Sequence, residues 1–227
     1  MTVQLVLGID EAGRGPGLGP MVLAAVALDE ASASFLAEAG VRDSKAFGSS
    51  AASQQTRARL ADLIRTRAAW VSEEICGVAD VDAYVARGAL NQLERERARL
   101  LILRAPACAR IIADGRTLFL TLTAEFAHFE AHDRAESIHV AVAAASICAK
   151  ARRDALFAAI ASHYQEDFGT LRGGGYVNSA TRAFVAEYVR RHGVLPPEAR
   201  SSWPWPGIVD ADKDISTTTA LPAPRVR

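Results

Sequence analysis

Apolar and polar positions alternate along residues 3–9, with Val3, Leu5, Leu7 and Ile9 in one phase, and a period of two predicts a β-strand. Beyond the turn-forming stretch GRGPGLGP, the run MVLAAVAL is apolar throughout and reads as a second, buried strand. The tight connection predicts that the two pair antiparallel. Residues 53–68 and 80–104 are helical by pattern, rich in Leu, Ala, Arg and Glu, with the strand-like AWVSEEICG between them. ARIIAD reads as a short strand ending at Asp114 and Gly115, and TLFLTL as a further one. Residues 138–164 form a long alanine-rich helix, and residues 179–192 a last helix, with Ser179 as N-cap and Gly193 stopping it before Pro196 and Pro197. From Pro206 the chain is rich in Pro, Thr and Asp without an apolar period, which predicts a flexible tail over residues 206–227. The order of elements predicts an α/β fold, a mixed sheet with helices around it and extra helices at the C-terminal end. One folded unit spans residues 1–205, its C-terminal helical part beginning near residue 155.

Composition narrows the class. The 227 residues suffice for a sizeable core, half are apolar, and 26 basic residues balance 26 acidic ones, so any basic surface must be local. No apolar run reaches the ~18 residues of a membrane span, and MTVQLVLGID lacks the basic region of a signal peptide. Cys76, Cys108 and Cys148 are odd in number and sit in apolar stretches, as expected of reduced thiols in a cytoplasmic protein. Only three of the basic residues are lysine: Lys45, Lys150 and Lys213.

Chemistry gathers at strand ends. Asp10 and Glu11 close the first strand, where alternation should send them to opposite faces, so a common site requires the chain to bend directly after them. Gly13 and Gly15 permit such a bend and a close approach of backbone to ligand; a hairpin with two solvated acids has the same pattern. A phosphate-cradling loop is disfavoured, because GRGPGLGP lacks the Gly-Lys-Ser/Thr ending and runs into a strand rather than a helix. Asp114 stands at another strand end beside Gly115, where it serves as a ligand-presenting acid or as a turn residue. Further acids precede the long helix in HDRAESIHVAVAAASICAK. Carboxylates brought together stay ionised only with cations among them, and hard ions such as Mg²⁺ take oxygen ligands of this kind. Two such ions activate water and stabilise the leaving oxygen of a phosphodiester. His128 and His132, four apart, would suit a transition metal on a helix, but no third ligand stands out. Trp203 and Trp205, set among prolines, are expected to pin the C-terminal segment.

GIDEAGRGP, DSK at 43–45, ADG at 113–115, AAASICAKARRD, GGGY at 173–176 and FVAEYVRRHGVLPPEARSSW occur in that order over residues 5–205. Together they resemble the ribonuclease HII family, in a style nearer its archaeal and eukaryotic branch. The resemblance implies an RNase H-like fold, a mixed central sheet flanked by helices with a C-terminal helical extension. It also implies cleavage of the RNA strand of RNA–DNA hybrids, and of DNA duplexes containing ribonucleotides, with Mg²⁺ or Mn²⁺. The acids it implies are Asp10, Glu11, Asp114 and, counting ten residues back from Ser146, Glu136 where the family usually has Asp. Asp133 is the alternative should Glu136 not serve.

Gly13, Arg14 and Gly15 resemble the family's ribonucleotide sensor, and Tyr176 its partner at the 2′-hydroxyl. A 2′-hydroxyl is what distinguishes RNA from DNA, and glycine-flanked backbone can come close to it. Lys45 and Lys150, two of three lysines in an arginine-rich chain, are expected to contact the substrate backbone or order the acids; Arg42 and Arg153 are further candidates for phosphate contacts. The expected protein is a monomer without a recognisable protein partner. The competing readings are a hybrid-binding protein impaired in catalysis by the Glu at 136, and another RNase H-like nuclease such as a junction resolvase.

Overall fold

The computed structural model describes residues 4–42, 48 and 50–208. Five strands form one mixed sheet in the order β3-β2-β1-β4-β5. Strand β1 (Val6–Ala12) pairs antiparallel with β2 (Met21–Leu28), and β2 antiparallel with β3 (Trp70–Cys76). On its other side β1 pairs parallel with β4 (Arg110–Asp114), and β4 parallel with β5 (Phe129–His132). Helices α1 (Glu30–Glu38) and α2 (Ala51–Arg67) separate β2 from β3. Helices α3 (Val78–Val85) and α4 (Leu90–Arg104) follow β3. A single-turn α5 (Arg116–Phe119) and two short 3₁₀ turns surround β5, and α6 (Val140–Phe168) and α7 (Ser179–His192) complete the fold.

Alternation explains the layers. Leu7 and Ile9 of β1, with Met21, Leu23, Ala25 and Ala27 of β2, face a core closed by α3 and α4. The opposite phase, Ala12, Val22, Ala24, Val26 and Leu28, faces α2 and the alanine-rich first half of α6. Small side chains let α6 lie close to the sheet. At Gly8 an added β-carbon would lie 2.1 Å from the carbonyl carbon of Ala141, so only glycine fits there. A third core, built on Leu18, Phe157, Tyr164, Phe184 and Trp205, joins the end of α6 and α7 to the glycine-rich turn after β1.

Several elements differ from the sequence expectation. TLFLTL is not a strand: Phe119 and Leu122 are both buried, three apart, as one face of a helical segment requires, and the segment forms α5 and a 3₁₀ turn. The expected single helix over 80–104 is two, separated at Gly88, whose φ of 65° no continuing helix adopts. The N-cap of α7 is Asn178, whose side chain accepts from the backbone N–H of Thr181; Gly193 ends the helix in a left-handed conformation, as expected. The strand carrying Asp10 and Glu11 does not bend directly after them but runs on to Ala12. Of the expected tail, residues 209–227 lie outside the described residues, as does Lys45. Among the described residues no helix is long and apolar enough to cross a membrane.

Candidate active site

The parallel pairing of β1 and β4 builds the first half of the site. One residue past the paired Ile9 and Ala113 stand Asp10 and Asp114, on neighbouring strands at their C-terminal ends. A 3₁₀ turn, Ala135–Ser137, brings Glu136 beside them: the Asp114 carboxylate accepts from the Ala135 N–H at 2.8 Å and lies within hydrogen-bonding reach of Glu136. Asp10, Glu11, Asp114 and Glu136 border one cavity of about 760 Å³ together with Gly13, Arg14, Gly15, Lys150 and Tyr176. The separated motifs of the sequence therefore meet.

Asp133 does not join them. It accepts from the Arg116 N–H at 2.9 Å and caps the turn after β4. A left-handed Arg134 (φ 60°) separates it from Glu136, so the two acids do not share a helical face. His128 and His132 are not on a helix either: His132 is on β5, 3.1 Å from Glu130, and His128 precedes the strand with φ 59°.

The electrostatics are those of crowded, dehydrated carboxylates. Asp10 is 5% exposed, and burial, then the neighbouring Glu11 charge, pushes its pKa up to about 8. Asp114 rises to about 6, chiefly by burial, and Glu11 is raised by burial and by the charge of Glu94 on α4. Three opposing influences act on Asp10: a hydrogen bond with Ser146, the charge of Lys150, whose Nζ donates to Ser146 Oγ at 3.1 Å, and the Glu11 backbone N–H, which donates to the Asp10 carboxylate at 2.8 Å. Among the described residues no three His, Cys, Asp or Glu side chains converge tightly enough to hold a metal ion as they stand. The donor set nonetheless fits a hard divalent cation: the acids at the cavity supply only oxygen, and burial together with their mutual repulsion raises the proton affinity of Asp10, Glu11 and Asp114.

The rim is made of two glycine-rich loops held from behind. Arg200, fully buried, donates to the carbonyls of Gly13 (2.6 Å), Arg14 (3.0 Å) and Gly19 (3.0 Å). Trp203 Nε1 donates to the Gly15 carbonyl at 2.9 Å, and the backbone N–H of Arg200 to that of Gly17 at 2.8 Å. Trp205 is buried in the third core and hydrogen-bonds the Arg200 carbonyl, so both tryptophans do pin the C-terminal segment. Gly17 and Leu18 N–H groups donate to the Gly175 carbonyl at 3.0 Å each, joining the first loop to the one that carries Tyr176. The tyrosine itself is 58% exposed over the cavity.

Two arginines expected to meet the substrate, Arg14 of the sensor loop and Arg153, are held by protein partners. Arg14 is paired with the fully buried Glu94 and donates to Asn91 at 2.6 Å, which fixes its guanidinium against α4. Arg153 is buried, and its Nη2 is turned to the carbonyls of Leu18 and Gly174. Sequence reasoning missed Ser146, Glu94 and Arg200 as contributors. It also missed Arg57, which borders the cavity and pairs with Asp154 through Nε (2.9 Å) and Nη2 (2.6 Å). Ser146 was the only one with a signal, four residues before Lys150 on a helix and hence on its face.

A family model described as Ribonuclease HII matches residues 7–204. The chain is 35% identical over 216 residues to a protein named Ribonuclease HII from Thermococcus kodakarensis, covering 87% of this chain and 86% of the relative. Its fold is similar to the crystal structure of the ribonuclease H2 from Pyrococcus horikoshii, with a TM-score of 0.75, 25% identity and coverage of 88% and 94% of the two chains. It is similar too to the chain in the structure of the PCNA:RNase HII complex from Archaeoglobus fulgidus, with a TM-score of 0.70, 29% identity and coverage of 87% and 93%.

Proposed function

Since the chain belongs to the ribonuclease HII family, and so to the type 2 ribonucleases H, we propose that it cleaves the RNA strand of RNA–DNA hybrids and incises duplex DNA at embedded ribonucleotides. The observation that carries this reading is the convergence of four acids, the Gly13–Gly15 loop and Tyr176 on one cavity. Asp10, Glu11, Asp114 and Glu136 would hold two Mg²⁺ or Mn²⁺ ions. When bound, these supply an activated water and stabilise the leaving oxygen, giving 3′-hydroxyl and 5′-phosphate ends. The chain's own residues do the rest. The Ser146 hydrogen bond and the charge of Lys150 each keep Asp10 from holding its proton more tightly still. The backbone around Gly13 and Gly15 approaches the ribose, and Tyr176 lies across from it to meet the 2′-hydroxyl. Lys45 is assigned to the substrate backbone on motif grounds alone. The protein acts as a monomer in the cytoplasm.

The test is cleavage of a DNA duplex bearing one ribonucleotide, with Mg²⁺, Mn²⁺ or EDTA. Metal-dependent incision on the 5′ side of that ribonucleotide supports the proposal. Binding without incision under either metal would leave a hybrid-binding protein, and cleavage of ribonucleotide-free branched DNA would favour a junction resolvase.

A further inference from the structure

Arg153 lies at the crossing of the two loops that read the ribonucleotide. It projects from α6 one turn after Lys150, is 5% exposed, and its Nη2 donates to Leu18 of the first loop at 2.5 Å and to Gly174 of the second at 3.2 Å. One nitrogen thus touches both. The glycines of the two motifs make room for it. A β-carbon at Gly13 would lie 2.9 Å from Arg153 Nε, and one at Gly19 or Gly175 would lie 3.2 or 3.0 Å from Nη2. Any side chain at these three positions would press on the guanidinium, so the glycines clear space for a protein cation as much as for a ligand.

The arrangement is an expensive one for the fold alone. Arg153 Nε is buried without a hydrogen-bond partner, and a dehydrated cation with an idle donor opposes stability. The ring of Phe157 lies 5.6 Å away, and Asp154, the nearby opposite charge, is paired with Arg57. A hydrophobic side chain would fill the site at less cost. What it would not do is hold two carbonyls of separate loops at one point.

We infer that Arg153 is a positioning residue that sets the spacing between the Gly13–Gly15 loop and Tyr176, and thereby the preference for a ribonucleotide over a deoxyribonucleotide. This rests on the function proposed above. Arg200 differs, because its side chain holds the first loop only.

The test compares wild type, Arg153→Met and Arg153→Lys in Mg²⁺. It measures KM for a duplex with one ribonucleotide and the inhibition constant of the same duplex made wholly of DNA. Their ratio reports ribonucleotide preference and does not depend on the fraction of enzyme that is folded. The methionine variant is expected to lose about tenfold of that ratio through a higher KM, with the all-DNA constant unchanged. The lysine variant, whose shorter stem reaches one carbonyl, falls between and carries the test if the methionine variant does not fold. A wild-type ratio in the folded variants overturns the inference alone. A wild type without preference overturns it together with the reading of the site.

Discussion

Gly15 and Tyr176 stand against each other at the mouth of the cavity: a β-carbon on Gly15 would lie 3.2 Å from the tyrosine Cε1. They come from loops 161 residues apart in the chain, and only the absence of a side chain at residue 15 leaves room between them. Gly15→Ala forces the ring to give by a few tenths of an ångström without straining the backbone. The expected result is about a tenfold loss of kcat/KM on a duplex with one ribonucleotide, with the melting temperature nearly unchanged. Steady-state kinetics beside a thermal melt check both halves.

Glu136→Gln keeps the size of a buried side chain, 2% exposed, but removes one charge from the acid cluster. Incision is expected to fall by about 100-fold or more in Mg²⁺. Asp133→Asn serves as the comparison, because Asp133 caps a turn and should leave activity within about twofold of wild type. Equal losses in the two variants would show that Glu136 has no special place.

The metal-free protein should become less stable as pH rises from 5 to 8. A folded-state pKa of about 8 at Asp10, against 3.8 in the unfolded chain, means the folded state binds more protons throughout that window; Asp114 at about 6 adds to it. More protons bound by the native state make stability fall with increasing pH. Glu130 and Glu187, held at about 2 mainly by hydrogen bonds from arginines, act with the opposite sign but lose their contribution only below about 4.5. Millimolar Mg²⁺ should raise the melting temperature, and more at pH 8 than at pH 5, since deprotonated acids are the ligands. Thermal melts in EDTA and in Mg²⁺ across this range decide it.

Lys150→Met removes a positive charge that favours ionised Asp10. The acidic limb of the pH–rate profile should move up by about one unit, with activity at high pH less affected. An unchanged profile would mean that Lys150 does not act on Asp10.

Gly8→Ala puts a methyl 2.1 Å from the backbone of Ala141, where a helix lies against the sheet and cannot retreat without opening the core. The expected destabilisation is about 3 kcal/mol, read from the urea midpoint.

Where local pattern carried the information, the sequence was legible. β1 and β2 announce themselves by alternation and by unbroken apolarity, α6 by its length and alanine-rich pattern, and α7 by its pattern and its Gly193 stop. Asp10, Glu11 and Asp114 could be singled out because each stands at the end of a strand the pattern predicts, while Glu136 needed the family resemblance, since a three-residue 3₁₀ turn has no period to read. β5 went unseen because its four residues bury only Phe129 fully, and α1 because Leu36 is its sole buried residue. TLFLTL misled because Leu, Phe and Thr suit a strand, and only tertiary burial of Phe119 and Leu122 reveals the helical spacing. Glu94 and Arg200 were out of reach for a different reason. Their partners lie 80 to 187 residues away in sequence, and nothing near either residue signals the contact.

The hold of Arg200 on the carbonyls of Gly13 and Arg14 also sets an order of events during synthesis. All four acids have been synthesised by residue 136, 64 residues before Arg200 is added. A nascent chain can therefore gather the acid cluster while the Gly13–Gly15 loop still lacks support from the C-terminal segment. On the proposed function, any preference for ribose waits on the C-terminal segment.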